Sequence, residues 1–291
     1  MAVRELSSSP RMLPMFARAG AGLIPGASKL PFLGGAGGDV PDLTLVRSDI
    51  AVDRDRLAAY NRVCGFALRD TLPVTYPHIL SFPMQLALMT DGSFPFPAIG
   101  LVHIYNRIAQ HRPLRIGERL SLRVWSTPVE PHPRGRQFSL CTEASVDGEV
   151  VWEEISTNLR RGGGGDGKGP EVPDASDLQP SATWKLPGDL GRRYGSVSGD
   201  LNPIHVHPLT ARLFGFRSAI AHGMWTKARA LAALDATLPD AFSVEVAFRK
   251  PVFLPARVEF TEDHEAGGTI RFGVRDAAKG TPHLDGVVTA G

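Results

Sequence analysis

The sequence predicts an α+β protein with two domains of similar size, each pairing a helix with short strands. Three observations support this prediction. Residues 161–182 are rich in Gly, Pro, Asp and Ser and nearly lack apolar side chains, which is typical of a linker. Short sequence matches recur on its two sides. In the second half, apolar residues follow first a helical and then a strand-like pattern.

The predicted elements of the second half follow from this pattern. Apolar residues at three- and four-residue steps predict a short helix over 208–214 and a long one over about 221–238. The long helix has Met224, Ala228, Leu231 and Leu234 on one face. Short β-branched or aromatic segments bounded by Gly, Pro or Asp predict strands at 244–248, 257–261, 269–274 and 286–289. A sheet wrapped around the long helix is the simplest arrangement of these elements.

The two halves resemble distant copies of one unit. Residues 60–65 (YNRVCG) match residues 194–199 (YGSVSG), and residues 112–117 are echoed by 250–255. The predicted organisation is an N-terminal extension that packs on the surface or stays mobile (1–40), a degenerate first domain (41–160), a flexible linker (161–182) and a second domain (183–291).

The first copy departs from the second where chemistry is expected. Phe66 follows the repeat at the position that Asp200 occupies in the second copy, and no Asn-Pro-x-His sequence comes after it. Its helical segment, 77–89, contains Pro83, which predicts a broken or displaced helix. We therefore expect the first half to lack an acid–base pair.

Composition excludes several classes of function. The 32 basic and 30 acidic residues are spread along the chain without a basic run, which argues against nucleic-acid binding. No apolar run is long enough for a membrane span. Two distant cysteines, Cys64 and Cys141, predict no disulfide framework and fit a cytoplasmic protein. The Gly-rich segment 162–169 resembles a phosphate loop but lacks its Ser or Thr and runs into prolines, so no nucleotide or other cofactor is predicted.

Candidate catalytic residues lie in the segment 198–205, which reads SGDLNPIH. Pro203 stiffens this turn because it fixes its own φ and restricts the residue before it. Asp200 and His205 are five residues apart on the loop, where both side chains can face one cavity. A carboxylate and an imidazole that share a water can take and give protons, as the hydration of a double bond requires. The alternative is a plain turn in which Asp200 bonds only to backbone.

The long helix is predicted to begin near Gly223, within the sequence IAHGM (220–224). The first N–H groups of a helix lack partners within it and attract negative charge, so a thioester carbonyl placed there would be polarised. His222 either orients the loop or is an ordinary buried histidine. The sequence leaves both roles open.

Together, the two segments resemble the MaoC-like, (R)-specific enoyl-CoA hydratase family, also called hydratase 2. The shared pattern is Tyr194-x-x-x-Ser198-Gly-Asp200-x-Asn202-Pro203-Ile-His205 followed by Ile220-Ala-His222-Gly223-Met224. The duplicated layout is similar to two-domain members, including mycobacterial 3-hydroxyacyl-thioester dehydratases. The resemblance implies a double hot-dog fold, with each antiparallel sheet wrapped around a helix.

The resemblance also implies a function and roles for these residues. It implies reversible dehydration of an (R)-3-hydroxyacyl thioester, on CoA or acyl carrier protein, to a trans-2-enoyl thioester in fatty-acid metabolism. Asp200 and His205 would be the catalytic pair, with the Gly223 amide on the thioester oxygen. Ser198, Asn202 and His222 are expected to bind the substrate, Asn202 also supporting the loop. No metal is expected, and a homodimer is one expected assembly.

Two other classes of function stay open at this point. A metal-dependent hydrolase could use Asp200, His205 and His207 as ligands, since two histidines spaced by one residue share a face of an extended segment. A non-catalytic acyl-thioester binding or partner subunit could have the same fold.

Overall fold

The computed structural model describes residues 2–21 and 39–291, which form two compact units. The first unit contains the described residues of 1–51, 77–104 and 118–169, and the second contains 52–76, 105–117 and 170–291. Two segments of the first half thus belong to the second unit. The boundaries of the two compact units differ from those of the predicted domains, 41–160 and 183–291. The predicted domains were defined by the repeated sequence segments, and they remain a prediction.

The first unit contains an antiparallel sheet with one parallel strand at its end. Its strands are β1 (Ala2–Glu5), β2 (Leu43–Ile50), β4 (Leu120–Ser126), β5 (Glu130–His132), β6 (Gly135–Val146) and β7 (Glu149–Arg161). They pair in the order β1-β2-β4-β6-β7, with β5 on β6, and only β1 runs parallel to its neighbour. Its helices are α1 (Met12–Ala21) and α3 (Tyr76–Met89), the latter belonging to this unit from Pro77 onward.

The second unit contains an antiparallel sheet and most of the helices. Its strands pair in the order β3 (Leu101–Gln110, from Tyr105 onward), β9 (Phe242–Phe248), β12 (Pro282–Ala290), β11 (Ile270–Asp276), β10 (Ala256–His264) and β8 (Pro180–Leu186). Its helices are α2 (Arg54–Cys64), α4 (Leu190–Ser198), α5 (Pro203–Val206), α6 (Pro208–Leu213) and α7 (Gly223–Leu234). The predicted helices and strands of the second half are therefore confirmed.

The long helix α7 lies in the core of the second unit. All four residues of its predicted apolar face are buried, as are Trp225 and Ala230. Lys227 was not anticipated there, yet it is fully buried. Its ammonium donates to the Asn106 side chain at 2.5 Å and to the backbone oxygens of Asn106 and Val244, each at 3.2 Å. These acceptors compensate the cost of burying a charge and tie α7 to β3 and β9.

The structure confirms the internal repeat around two helix ends. Helix α2 ends at Gly65 and α4 at Gly199, and both glycines adopt the left-handed conformation, with φ of 87° and 86°. The tyrosines that open the two matches, Tyr60 and Tyr194, are buried with ring centroids 6.2 Å apart.

Helix α3 corrects the prediction that Pro83 breaks the helix of the first half, while the alternative of a displaced helix stays a prediction. The helix is one element of 14 residues with Pro83 inside it. Two side chains near the proline make hydrogen bonds. Ser81 donates to the carbonyl of His78 at 3.0 Å, and Gln85 donates to Glu154 at 2.9 Å.

The linker prediction also needs correction, because 170–178 is packed rather than loose. Val172, Ala175 and Leu178 are buried in the second unit. Arg275 donates to the carbonyls of Ser176 and Leu178 at 3.2 and 3.3 Å, satisfying backbone that a loose linker would leave to water. Three apolar residues and donors distant in sequence are sufficient to hold this segment.

At the N-terminus, Ala2–Glu5 form a strand paired with β2, so this part of the predicted extension belongs to a sheet. The Gly-rich stretch 34–38 lies outside the described residues. Among the helices of the described ranges, none combines the length and apolar character needed to cross a membrane.

Candidate active site

The loop after α4 holds Asp200 in a defined conformation. The hydroxyl of Ser198 accepts a hydrogen bond from the backbone N–H of Asp200 at 3.1 Å. Asp200 Oδ1 in turn accepts from the N–H of Asn202 at 3.1 Å. These bonds form the plain turn that was the alternative to a catalytic role for Asp200. They use only one oxygen of its carboxylate, Oδ1. Oδ2 of Asp200 lies 3.7 Å from His222 Nε2.

His205 is presented by the short helix α5. The Asn202 side chain accepts from the N–H of Ile204 at 3.4 Å and so caps this helix. Nδ1 of His205 lies 2.8 Å from the carbonyl oxygen of Ile220. Because a carbonyl only accepts, the proton of a neutral His205 sits on Nδ1, and Nε2 keeps a free lone pair. Burial lowers the pKa of His205, which favours this neutral form, although the Asp200 charge opposes the shift.

His222 connects the loop to the long helix. Its Nε2 donates to the backbone carbonyl of Asp200 at 3.0 Å, and its ring stacks on His205 with centroids 3.7 Å apart. Tyr194 packs on it with ring centroids 4.8 Å apart. Burial, with a smaller contribution from His205, lowers the pKa of His222 to about 3. His222 is thus neutral, buried and bonded to the loop, and its role in orienting the loop stays a prediction.

These contacts bring three predicted site residues together. Asp200, His205 and His222 each have one carboxylate oxygen or ring nitrogen that lies within 4.8 Å of those of the other two residues. Gly223 follows as the first residue of α7, whose first N–H groups lack partners within the helix. A Cβ at Gly223 would lie 3.0 to 3.3 Å from ring carbons of Phe248, so packing as well as ligand access favours glycine. A carboxylate, a neutral imidazole and a helix start are thus placed to move protons beside a polarised carbonyl.

Two glycines that the sequence analysis missed let the loop approach α4. A Cβ at Gly191 would overlap the carbonyl oxygen of His205, and one at Gly195 would lie 2.9 Å from that of Asp200. With Gly199 they form a run of glycines at four-residue spacing, Gly191-x-x-x-Gly195-x-x-x-Gly199. This spacing puts Gly191 and Gly195 on one helix face, a signal that was readable in the sequence.

Arg56 is a second feature that sequence analysis missed. From α2, its guanidinium donates to the carbonyls of Val197 and Ser198 at 2.8 and 3.2 Å. These are the last carbonyls of α4, which lack partners within the helix and favour a positive charge. Arg56 therefore fixes the helix end that leads into Asp200, from 141 residues away in sequence.

We expect Arg56→Ala to lower kcat about tenfold while KM changes little, because the loop loses its support while the substrate contacts remain. The free energy of unfolding should fall by about 1–2 kcal/mol as two buried carbonyls lose a charged donor. Steady-state kinetics and urea titration measure these effects. The exposed neighbour Arg54, changed to Ala, is the control, and equal behaviour of the two variants would contradict the role of Arg56.

A pH dependence of stability follows from His222. Its pKa is about 3 in the folded protein and about 6.5 in the unfolded chain, so the unfolded state binds the extra proton between these values. Stability from this residue is therefore complete above pH 7 and is lost as the pH falls, by about 2 kcal/mol between pH 7 and pH 5. Urea titrations at both pH values measure this effect. Between pH 7 and pH 5, His222→Gln should lose about 2 kcal/mol less unfolding free energy than the wild type. Equal losses in both proteins would contradict the buried neutral state.

The structure also shows where the proposed ligands of a metal-dependent hydrolase lie. Asp200, His205 and His222 are close enough for their donor atoms to hold one metal ion. His207, the third ligand of the hydrolase hypothesis, is not in this group. Its Nδ1 accepts from the N–H of Leu209 at 3.1 Å and caps α6.

Comparison with known proteins identifies the family. Residues 176–286 match the MaoC-like domain. The chain is 36% identical over 285 residues to 3-hydroxyacyl-thioester dehydratase X of Mycobacterium tuberculosis, covering 97% of this chain and 99% of that protein. This chain belongs to the MaoC-like dehydratase family.

Solved structures of MaoC-like proteins confirm the α+β double hot-dog prediction. The crystal structure of HtdX from M. tuberculosis matches with a TM-score of 0.76 and 36% identity, over 85% of this chain and 99% of that one. A MaoC-like dehydratase from Phytophthora capsici matches with a TM-score of 0.71 and 21% identity, over 88% and 96%, and shows the fold alone.

Within this MaoC-like site, the three residues predicted to bind substrate all make contacts inside the loop. Ser198 supports Asp200, Asn202 caps α5, and His222 holds the Asp200 carbonyl. Ser198 and His222 are buried, with 1% and 2% of their surface exposed. The contacts indicate positioning, and direct contact of these three with the substrate stays a prediction.

Proposed function

We propose that this MaoC-like protein catalyses the reversible dehydration of (R)-3-hydroxyacyl thioesters to trans-2-enoyl thioesters, as a hydro-lyase of fatty-acid metabolism. One observation carries the proposal. Asp200 and His205 lie together beside the start of α7, and each keeps one proton acceptor, Oδ2 and Nε2, that makes no hydrogen bond within residues 2–21 and 39–291. The name of the M. tuberculosis relative, a 3-hydroxyacyl-thioester dehydratase, is consistent with this chemistry.

The two acceptors act as a pair in both directions of the reaction. In the hydration direction, they hold a water whose oxygen adds to Cβ while one of its protons passes to Oδ2 or Nε2. A proton is delivered to Cα from the same pair. The Gly223 N–H stabilises the enolate-like oxygen of the thioester between these events. In the dehydration direction the same groups remove the Cα proton and protonate the leaving 3-hydroxyl.

Hydration of crotonyl-CoA, followed at the ultraviolet absorbance of the enoyl thioester with chiral analysis of the product, tests the proposal. We expect (R)-3-hydroxybutyryl-CoA. Binding of crotonyl-CoA without turnover would favour the alternative, a non-catalytic acyl-thioester binding subunit. Formation of the (S) product would contradict the proposed (R) specificity.

A metal-dependent reaction is tested separately. Because two side-chain proton acceptors and a helix start suffice for the steps above, dialysis against EDTA should leave kcat unchanged. A loss of activity that added Zn²⁺ restores would instead assign Asp200, His205 and His222 as metal ligands.

The proposal also covers the cellular location and the assembly of the protein. Both cysteines, Cys64 and Cys141, are buried free thiols. We propose a cytoplasmic enzyme, for which free thiols are usual. The homodimer expected from sequence remains a prediction that light scattering would test.

A further inference from the structure

The N-terminal helix α1 is almost entirely apolar in sequence, yet part of it is exposed. It reads MLPMFARAGA, in which Arg18 is the one charged residue, so the sequence provides no polar face. A helix of this composition is normally buried in a protein core or in lipid. Here Leu13 has 74% of its surface exposed, and Pro14 is exposed as well. The helix therefore leaves apolar surface open to solvent, which is a mark of an interaction site.

The chain around α1 is also basic. Residues 6–38 contain Arg11, Arg18 and Lys29 but no Asp or Glu, whereas the whole chain nearly balances 32 basic with 30 acidic residues. Arg11, directly before the helix, is exposed. Apolar surface beside unbalanced positive charge is complementary to a partner that is both apolar and anionic. A bilayer that contains anionic lipids has this combination of properties.

The length of α1 suits a helix that lies on a membrane. Its 10 residues extend about 15 Å, whereas the hydrocarbon core of a bilayer is about 30 Å thick. The helix can therefore lie along the interface with Leu13 among the acyl chains, but it is too short to cross.

Strand β1 ties α1 to the folded part of the first unit. Ala2–Glu5 pairs with β2, and the N–H of Leu6 donates to the carbonyl of Val46 at 2.8 Å. Residues 7–11 are all that separates this bonded segment from the helix. A lipid-bound α1 would thus hold the first unit close to the membrane.

We infer that α1 binds the surface of an anionic lipid bilayer and attaches this protein to it. Acyl chains cover the exposed apolar side chains of α1, and anionic headgroups balance the positive charge of residues 6–21. A second copy of this chain would instead bring like charges together, which disfavours it as the occupant. The cytoplasmic face of membranes carries anionic lipids, so the attachment agrees with the proposed location. It involves no residue of the candidate active site and does not depend on the proposed reaction.

Co-sedimentation of the full chain with lipid vesicles tests this attachment. We expect binding to phosphatidylcholine vesicles that contain about 30% phosphatidylglycerol, and about tenfold weaker binding to pure phosphatidylcholine vesicles. Added salt should weaken the binding, because mobile ions screen the attraction between exposed charges. Absence of binding, or equal binding to the two kinds of vesicle, would overturn the inference.

Substitutions in and beside α1 locate the binding surface. Leu13→Asp should weaken binding to the anionic vesicles about tenfold, because it replaces an apolar contact with a negative charge. Arg11→Glu should weaken it by about the same factor through charge reversal. The matched controls are Leu68→Asp and Arg62→Glu, which change a leucine with 77% of its surface exposed and an exposed arginine, both in the second unit. They make the same changes in net charge and should bind as wild type does. Unchanged binding by both α1 variants, or losses as large in their controls, would overturn the assignment to α1.

Light scattering in the absence of lipid tests for a protein occupant of the same face. We expect wild type and Leu13→Asp to have the same oligomeric state, and thermal unfolding should show that the substitution leaves the fold intact. A wild-type oligomer that Leu13→Asp dissociates would assign the exposed side of α1 to a second copy of this chain and would overturn the inference.

Discussion

Changing Asp200 to Asn or His205 to Gln is expected to lower kcat for crotonyl-CoA hydration about a thousandfold. Each change removes a proton acceptor, Oδ2 of Asp200 or Nε2 of His205, while keeping the size of the side chain. General acid–base groups typically contribute factors of this order. Because the two acceptors serve the same water, the double variant should be little worse than either single variant.

The fold should survive both substitutions, because the bonds that hold the loop remain available. An Asn side chain at position 200 still offers an oxygen to the N–H of Asn202, and a Gln at position 205 can still donate to the carbonyl of Ile220. Circular dichroism and thermal unfolding check this. Asp189→Asn, whose side chain makes no capping bond, and the exposed His264→Gln are matched controls with unchanged kcat. A variant at position 200 or 205 that keeps near-normal turnover would remove that residue from the mechanism.

Gly191→Ala is expected to produce the second largest effect, although this residue does not touch the substrate. The added Cβ overlaps the carbonyl oxygen of His205, so α5 must move away from α4. Displacing a packed backbone costs roughly 1–3 kcal/mol, and a shift of the imidazole by a fraction of an ångström reduces proton transfer. We expect kcat to fall about a hundredfold and the melting temperature to decrease by several degrees.

Gly188→Ala provides the control for Gly191. Its Cβ would meet only Cδ of Pro255, at 3.9 Å, which is an ordinary contact. Kinetics and differential scanning calorimetry of both variants measure the contrast. Gly191→Ala with wild-type kcat and stability would show that the loop tolerates a larger separation from α4 than the structure allows.

Local sequence signals predicted the part of the site that is contiguous in the chain. The stiff turn at Pro203 and the helix start at Gly223 are consequences of backbone chemistry, which a few neighbouring residues determine. The apolar face of α7 is likewise a local pattern, and its four residues are buried as expected. The local signals placed Asp200 and His205 on one stiff loop, whereas the resemblance to the MaoC-like family placed His222 in the same site.

Features that depend on distant segments were not predicted. Arg56 reaches carbonyls 141 residues away, and no property of its own helix marks it for that role. Lys227 contradicted the apolar pattern because its acceptors come from β3 and β9. The helix containing Pro83 is continuous, although proline disfavours a helix interior. Arg56 and Lys227 thus depend on partners that are distant in sequence, which local patterns do not show.

A crystal structure of Asp200→Asn with bound crotonyl-CoA tests the central geometry most directly, since the slow variant should retain its substrate. The thioester oxygen is predicted to accept from the backbone N–H of Gly223 at about 3 Å, with Cβ facing position 200 and Nε2 of His205. An acyl group whose carbonyl lies away from the start of α7, or whose Cβ faces neither residue, would contradict the account.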